Sequence, residues 1–179
     1  MTTYFNDFDL SDFWDNDDYA EEAYISAPFT EELLTEIQAL LGYTLPASYV
    51  ALMRQQNGGT PVRTCLPTTE PTSWAEDHVA ITGIHGIGRE KVNSLGGKFG
   101  SRFWIEEWKY PDIGVYFADC PSAGHDMICL DYRHCGPRGE PQVVHVDQED
   151  DYRIIYLSPS FEDFIRALEH EDNFTDEDI

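Results

Sequence analysis

The chain has 179 residues, and its 34 Asp and Glu against 11 Lys and Arg give a formal net charge of −23. A field of this sign repels phosphates, so the composition excludes nucleic-acid binding through general charge and disfavours anionic membrane surfaces. It favours a basic partner. With 41% hydrophobic and 13% aromatic residues, a chain of this length is expected to form one globular domain with a true core.

The acidic residues are concentrated in three stretches. Residues 1–24 hold eight of them, 147–151 hold four and 169–178 hold six, while the rest of the chain carries sixteen acids and eleven bases, a net charge of −5. The first stretch also holds seven aromatic residues: Tyr4, Phe5, Phe8, Phe13, Trp14, Tyr19 and Tyr24. We predict an acidic aromatic extension over 1–28, a domain over 29–169 and an acidic tail over 170–179. Packing of the extension on the body or on a neighbouring chain is favoured over a dedicated binding motif.

Two helices are predicted at the start of this domain. Thr30 is a good N-cap, acidic residues follow it in the first turn, and Gly42 ends the helix. A second helix starts after Leu45-Pro46, because proline suits a first helical turn. Asn57-Gly58-Gly59 ends it, since Asn and Gly tolerate the left-handed conformation.

The remainder predicts strands and one more helix. Short runs with β-branched or aromatic residues indicate strands at Val62–Leu66, Val79–Ile84, Gly114–Ala118, Met127–Tyr132, Gln142–Val146 and Ile154–Leu157. The stretch Arg89–Lys109 fits either a helix or irregular turns, with Trp104 and Trp108 facing inward. A last helix is predicted over Ser158–Glu169. The order predicts an α+β fold: an antiparallel or mixed sheet of five to six strands, two N-terminal helices and one C-terminal helix.

The four cysteines are expected to be reduced thiols in the cytoplasm. They form no C-x-x-C pair, Met1–Asp18 has neither a basic nor a continuous apolar segment, and no apolar run reaches membrane-spanning length. Cys120, close to His125 in the chain, could be a nucleophile. Asp119 and Asp126 nearby would instead raise its pKa.

Three other patterns have both a chemical and a structural interpretation. Gly83–Gly88 approaches a phosphate-binding loop but lacks its Lys-Ser/Thr ending, so a turn after a strand is favoured. A metal-assisted hydrolase could use His125, Asp126, His145 and Asp147, although histidines with a purely structural role are favoured. Glycosidase chemistry could use a pair among Asp119, Asp126, Asp131 and Asp147, which could equally hold loop N–H groups.

Two blocks in order resemble one family. Leu45-Pro46-Ala47-Ser48-Tyr49 followed by Arg54-Gln55-Gln56-Asn57-Gly58-Gly59 is similar to the "LP-x-x-Y … NGG" helix of the SUKH superfamily, the SMI/KNR domain. Gly114–Asp119, Pro121–Asp126 and Leu130-Asp131-Tyr132 resemble its strand–turn–strand, and Phe161–Leu168 resembles its closing helix. The resemblance runs from Phe29 to Leu168. His125 in the turn, the long 139–147 segment and the N-terminal extension depart from the family pattern.

The resemblance implies an α+β binding domain with no catalytic residue, metal or cofactor to carry over. Bacterial members neutralise a cognate toxin, while fungal members are linked to cell-wall assembly and signalling. We therefore expect a non-enzymatic immunity protein for a basic toxin, a nuclease for example, with a regulatory scaffold and the metal-assisted hydrolase as alternatives. The oligomeric state stays open. The expected partner-binding residues are Asp119, Ser122, His125, Asp126, Asp147, Glu149, Asp150 and Asp151.

Overall fold

The structure, a computed structural model, describes residues 4–174. Its helices are α1 (Asp18–Ala23), α2 (Glu31–Leu41), α3 (Ala47–Gln55), α4 (Ser101–Glu106) and α5 (Phe161–Ala167), with 3-10 turns at Gln148–Asp150 and Glu171–Phe174. Its strands are β1 (Cys65–Pro67), β2 (His78–Ala80), β3 (Gly83–Ile84), β4 (Gly114–Asp119), β5 (Asp126–Asp131), β6 (Gln142–Asp147) and β7 (Arg153–Ser158). The α+β fold is confirmed.

The main sheet has five strands in the order β3-β4-β5-β6-β7, and every neighbouring pair is antiparallel. Strands β1 and β2 form a separate two-stranded sheet. Because the main sheet is a simple up-and-down meander, the β4–β5 and β6–β7 connections lie at the same end. No helix within residues 4–174 has both the length and the apolar composition that crossing a bilayer requires.

Side chains alternate between the two faces of the main sheet, and each face has its own core. One face carries the larger core, which contains Val143 of β6 and the apolar residues of α2, α3 and α5. The other face carries a smaller core with Val144 and Val146 of β6, Trp104 of α4 and Tyr110. Both faces of β6 are therefore buried.

Local capping explains where α2 begins and ends and where α5 begins. Thr30 Oγ1 accepts a hydrogen bond from the Leu33 N–H at 3.1 Å, and Gly42 ends α2 in the left-handed region at φ 85°. Ser160 caps α5 in the same way, because its Oγ accepts a hydrogen bond from the Asp163 N–H at 3.2 Å. The two helix starts predicted near Thr30 and Pro46 are confirmed.

Two predicted strands and the last predicted helix differ from the structure. The single strand expected at Val79–Ile84 is two, because the chain leaves β1 after β2 and pairs with β4 through β3. The strand expected from Val62 begins only at Cys65. The helix predicted over Ser158–Glu169 is shorter, because Ser158 pairs with Val143 in the sheet and Ser160 caps the helix. Arg89–Lys109, for which a helix or irregular turns were expected, contains one short helix, α4, among irregular turns. Helix α1 was not predicted, since its six residues, three acids, two alanines and a tyrosine, give little periodic signal.

The N-terminal extension, residues 4–28, packs against the body. Phe13 and Tyr24 are fully buried and Phe5 is nearly so. The backbone continues the contact, because the Asp15 N–H donates to the Thr60 carbonyl at 2.7 Å. Aromatic burial therefore fixes this acidic segment in place, although like charges within it repel.

Asn57 joins the extension, the end of α3 and the loop after β3. Its amide nitrogen donates to the carbonyls of Ala27 and Ile87, both at 2.9 Å, and its amide oxygen accepts from the Ile87 N–H at 2.7 Å. A Cβ atom on Gly58 would lie 2.8 Å from the Gly86 nitrogen, so the two backbones meet directly. Gly86 therefore serves close backbone packing, as the turn interpretation of Gly83–Gly88 predicts.

Candidate partner-binding face

The β4–β5 and β6–β7 turns, which the sequence singles out separately, are neighbours at one end of the sheet. Asp126 and Asp147 are paired positions of β5 and β6. The Gln148 N–H donates to the His125 carbonyl at 3.0 Å, and His125 Nδ1 lies 2.6 Å from Glu149 Oε1. The fold thus brings the expected partner-binding residues of both turns together.

The exposed part of this region is acidic. Glu149, Asp150, Asp151 and His125 are exposed, and we call these four residues the acidic turn patch. The backbone at Asp151 is left-handed, with φ 54°, which turns the chain into β7. One base lies beside the patch: an Arg153 nitrogen is 3.8 Å from Asp150 Oδ2, and another is 2.9 Å from Glu70.

Asp126 and Asp147 lie beneath the surface, with 3% and 1% of their areas exposed. Asp126 Oδ2 pairs with His145 Nε2 at 2.8 Å, and its other oxygen is hydrogen bonded to the Ser122 hydroxyl. Asp147 Oδ2 accepts from the Ser73 N–H at 2.9 Å. These two carboxylates hold the turns in shape, and a partner would meet the residues above them.

Asp119 connects the β4–β5 turn to the extension. The Tyr24 hydroxyl donates to its carboxylate, 2.7 Å from each oxygen, and His85 Nε2 lies 3.4 Å away. Burial, followed by the negative charge of Asp119, raises the pKa of Tyr24, so its hydroxyl stays protonated and donates. Asp119 keeps 20% of its side chain exposed, enough to meet a partner.

The four residues considered for a metal-assisted hydrolase do not form one site. His125 is exposed in the acidic turn patch, whereas His145 is fully buried next to Asp126. The residue that completes a group with Asp126 and His145 is Cys120. The potential ligand atoms of these three residues lie within 4.8 Å of one another. These residue types could hold a transition metal. The Asp126 carboxylate is already hydrogen bonded within the chain by His145 and Ser122, which gives the group a structural role.

Of the four acids considered for glycosidase chemistry, Asp126 and Asp147 are neighbours, but both are buried and hydrogen bonded within the chain. Asp131 is remote from them. Asp126 and Asp131 stand at opposite ends of β5. Asp131 accepts hydrogen bonds from the Arg133 backbone N–H and guanidinium and from Gln142, at 2.8 to 3.0 Å. Burial opposes its ionisation, but these donors outweigh it and lower the pKa of Asp131. It closes the turn after β5, as the loop-holding interpretation predicts.

The Cys120 thiol is expected to be unreactive. Burial raises its pKa well above the usual value, and the carboxylates of Asp126 and Asp119 raise it further. With iodoacetamide at pH 8, we expect half-buried Cys135 to be alkylated first and Cys120 at least ~100-fold more slowly. Mass spectrometry of timed samples measures this, with urea-unfolded chain as the control in which all four thiols react. Rapid labelling of Cys120 in the folded chain would revive the nucleophile hypothesis.

A cleft opens beside the β4–β5 turn, and sequence reasoning did not find it. Its cavity volume is 630 Å³. We call it the aromatic cleft, after the rings that line it: Tyr19, Phe99, Phe103, Trp104 and Trp108. Carboxylates of Glu22, Glu90 and Asp119 also line it. Only the inward spacing of Trp104 and Trp108 pointed to this region, and nothing local connects them with the extension.

Comparison with known proteins places the chain in a family. The family model described as the SMI1 / KNR4 family (SUKH-1) matches residues 28–167, which is well over half of the chain. No curated protein matches the chain.

Proposed function

Because the chain belongs to the SMI1 / KNR4 family (SUKH-1), we propose that it is a non-enzymatic bacterial immunity protein that binds and neutralises a toxin in the cytoplasm. The partner we propose is a basic toxin domain, for which a nuclease fits best. A nuclease must attract phosphates and so presents a basic surface, which a strongly acidic protein can occupy. Family membership supports a binding domain of this type, and the chain's charge supports the basic partner.

The observation that carries this proposal is the meeting of two acidic turns at one end of the sheet. Three exposed carboxylates and His125 share the acidic turn patch. Asp119 and the half-exposed Ser122 lie on the neighbouring β4–β5 turn. The buried pairing of Asp126 with His145 keeps this turn rigid, so little ordering entropy is lost on binding.

The direct test is capture followed by growth protection. The full chain, immobilised as bait in a lysate of its own host cells, is expected to recover a basic protein in stoichiometric amount. That protein, expressed alone in a test bacterium, should stop growth, and co-expression of the chain should restore it. A recovered partner that does not impair growth would contradict the immunity proposal and favour the regulatory scaffold.

Neutralising two exposed acids of the patch should slow association with that toxin. Asp150→Asn with Asp151→Asn removes two charges, and Asn keeps the left-handed backbone at 151. We expect about a threefold lower association rate constant at low salt, and a smaller effect at 0.5 M salt because screening removes the steering. Stopped-flow or biosensor kinetics measures both rate constants.

The matched control removes two exposed charges elsewhere, through Glu32→Gln with Glu36→Gln on α2. The control should change the association rate constant far less, although both variant pairs remove two negative charges and so have the same net charge. Equal slowing by both pairs would mean that total charge steers the encounter, and the assignment of the face to the acidic turn patch would be wrong.

A further inference from the structure

The aromatic cleft combines two features that suit one kind of ligand. It is lined by five aromatic residues, which suit a flat or cationic group, and by three acidic residues. We infer that the aromatic cleft is the pocket for an arginine side chain of the protein partner. This inference rests on the proposed function and adds the chemistry of its principal contact.

The charge distribution of the cleft favours a cation. Among the described residues that line it, three are acidic and none is basic. Glu22 and Glu90 are both exposed, and no ion pair engages either within residues 4–174. Outside the lining, Lys98 Nζ stands 5.3 Å from the centroid of the Phe99 ring, so an exposed cation already makes this kind of contact with one wall.

The geometry favours a guanidinium over an ammonium. A guanidinium is planar, stacks on aromatic rings and binds a carboxylate through two parallel N–H bonds. Trp104 is held in place by its indole N–H, which donates to the Phe99 carbonyl at 2.9 Å, and its ring lies 5.3 Å from that of Trp108. Asp119 is likewise fixed by the Tyr24 hydroxyl. Rings and carboxylate are therefore in position before a ligand arrives.

The cleft is continuous with the acidic turn patch. The ring of His125, in the patch, lies 5.7 Å from the ring of Trp108, in the cleft, and Gly124 lines the cleft wall between them. A partner seated on the patch is therefore close enough to insert a side chain. Such buried arginine anchors supply much of the affinity of protein interfaces.

One wall of the cleft comes from the extension. Tyr19 and Glu22 line it from α1, and both lie outside the residues that the family model matches. The pocket is thus assembled from the family domain and a segment added to it.

The test uses a probe that does not depend on the toxin. Nα-acetyl-arginine methylamide is titrated into the full chain, and the Trp108 indole N–H signal is followed by NMR, with Trp14 and Trp74 as internal references. The neutral isostere Nα-acetyl-citrulline methylamide is titrated in parallel. The variant pair is Glu22→Gln with Glu90→Gln, and the matched control is Glu32→Gln with Glu36→Gln.

We expect the arginine compound to shift the Trp108 signal saturably in the millimolar range and the citrulline compound to leave it unchanged. The Glu22→Gln, Glu90→Gln pair should raise the half-saturation concentration about fivefold, and the control pair less than twofold. Equal shifts from both compounds, no shift with arginine, or equal effects of the two variant pairs would overturn the inference. Loss of the arginine response with growth protection intact would overturn only the cleft assignment. Arginine binding without growth protection would overturn only the immunity function.

Discussion

Asn57→Ala is expected to lower the free energy of unfolding by about 3 kcal/mol. The side chain is only 3% exposed, and its amide makes three hydrogen bonds to backbone groups of Ala27 and Ile87. Alanine would leave the Ile87 N–H and carbonyl buried without partners, and each unsatisfied group costs about 1–3 kcal/mol, while the carbonyl of exposed Ala27 can bond to water. Because water can partly enter the site, the expected loss is smaller than the sum of these costs. Urea unfolding followed by tryptophan fluorescence measures the loss.

The control for this prediction is Asn16→Ala. Asn16 is exposed and exchanges hydrogen bonds with the Gln56 side chain alone, at 2.9 Å in each direction. Its removal should cost less than about 0.5 kcal/mol. If Asn57→Ala were as mild as Asn16→Ala, the junction of the extension, α3 and the loop after β3 would not depend on this amide. The asparagine of the Asn57-Gly58-Gly59 block would then act only as a helix terminator.

Elements with local signals were predictable. The cap at Thr30 and the glycine at Gly42 determine both ends of α2 within a few residues. The last helix was also predicted, although its cap is Ser160 and not Ser158. The same is true of β4 to β7, whose short apolar runs end at turn residues and lie within a meander of sequential neighbours. Here local chemistry and tertiary structure agree.

Features that depend on distant contacts were not predictable. The chain between Val79 and Ile84 reads as one short strand with a single polar residue, Thr82, and its pattern does not show that the pairing changes from β1 to β4. Helix α1 likewise depends on distant contacts, because burial of Ala20 and Ala23 stabilises it. Propensity alone is too weak to form a six-residue helix.

The candidate face also combines features that the sequence predicts with features that only the fold reveals. The acids and their turns were visible in the sequence, but which of them reach solvent was not. In the sequence Asp126 and Asp147 cannot be distinguished from their exposed neighbours. In the structure both are buried, and the loop around Ser73 contacts Asp147. The aromatic cleft needed the fold itself, since it joins rings from α1 and α4 that are over 80 residues apart.

The structure shows which acidic residues of the extension have a basic partner. Asp7 lies 2.7 Å from a nitrogen of Arg166, and Asp12 lies 4.0 Å from a nitrogen of Arg63. Both pairs are exposed and contribute little to stability. Glu22 has no such pair within residues 4–174 and faces the aromatic cleft. The extension therefore contributes acid to the proposed face as well as aromatic rings to the core.

Gly83→Ala is expected to lower the free energy of unfolding by about 3 kcal/mol and to displace Tyr24. A Cβ atom at position 83 would lie 2.5 Å from Tyr24 Cζ and 2.7 Å from its Cδ1. Because the backbone at Gly83 is not left-handed, alanine is otherwise allowed there, and the clash alone is responsible. Moving the ring breaks the hydrogen bond to Asp119 and loosens α1, so thermolysin should cleave the extension faster in the variant.

A double-mutant cycle isolates this contact. Once Tyr24→Ala has removed the ring, Gly83→Ala should cost less than about 0.5 kcal/mol more, which makes the coupling between the two positions close to the full single-site effect. Gly88→Ala is the control for glycine replacement itself, since its nearest neighbour would be Ser26 Oγ at 3.5 Å. Additive losses from Gly83→Ala and Tyr24→Ala would show that β3 fails by another route. The Tyr24 ring would then not be what attaches the extension, and with it the α1 wall of the aromatic cleft, to the sheet.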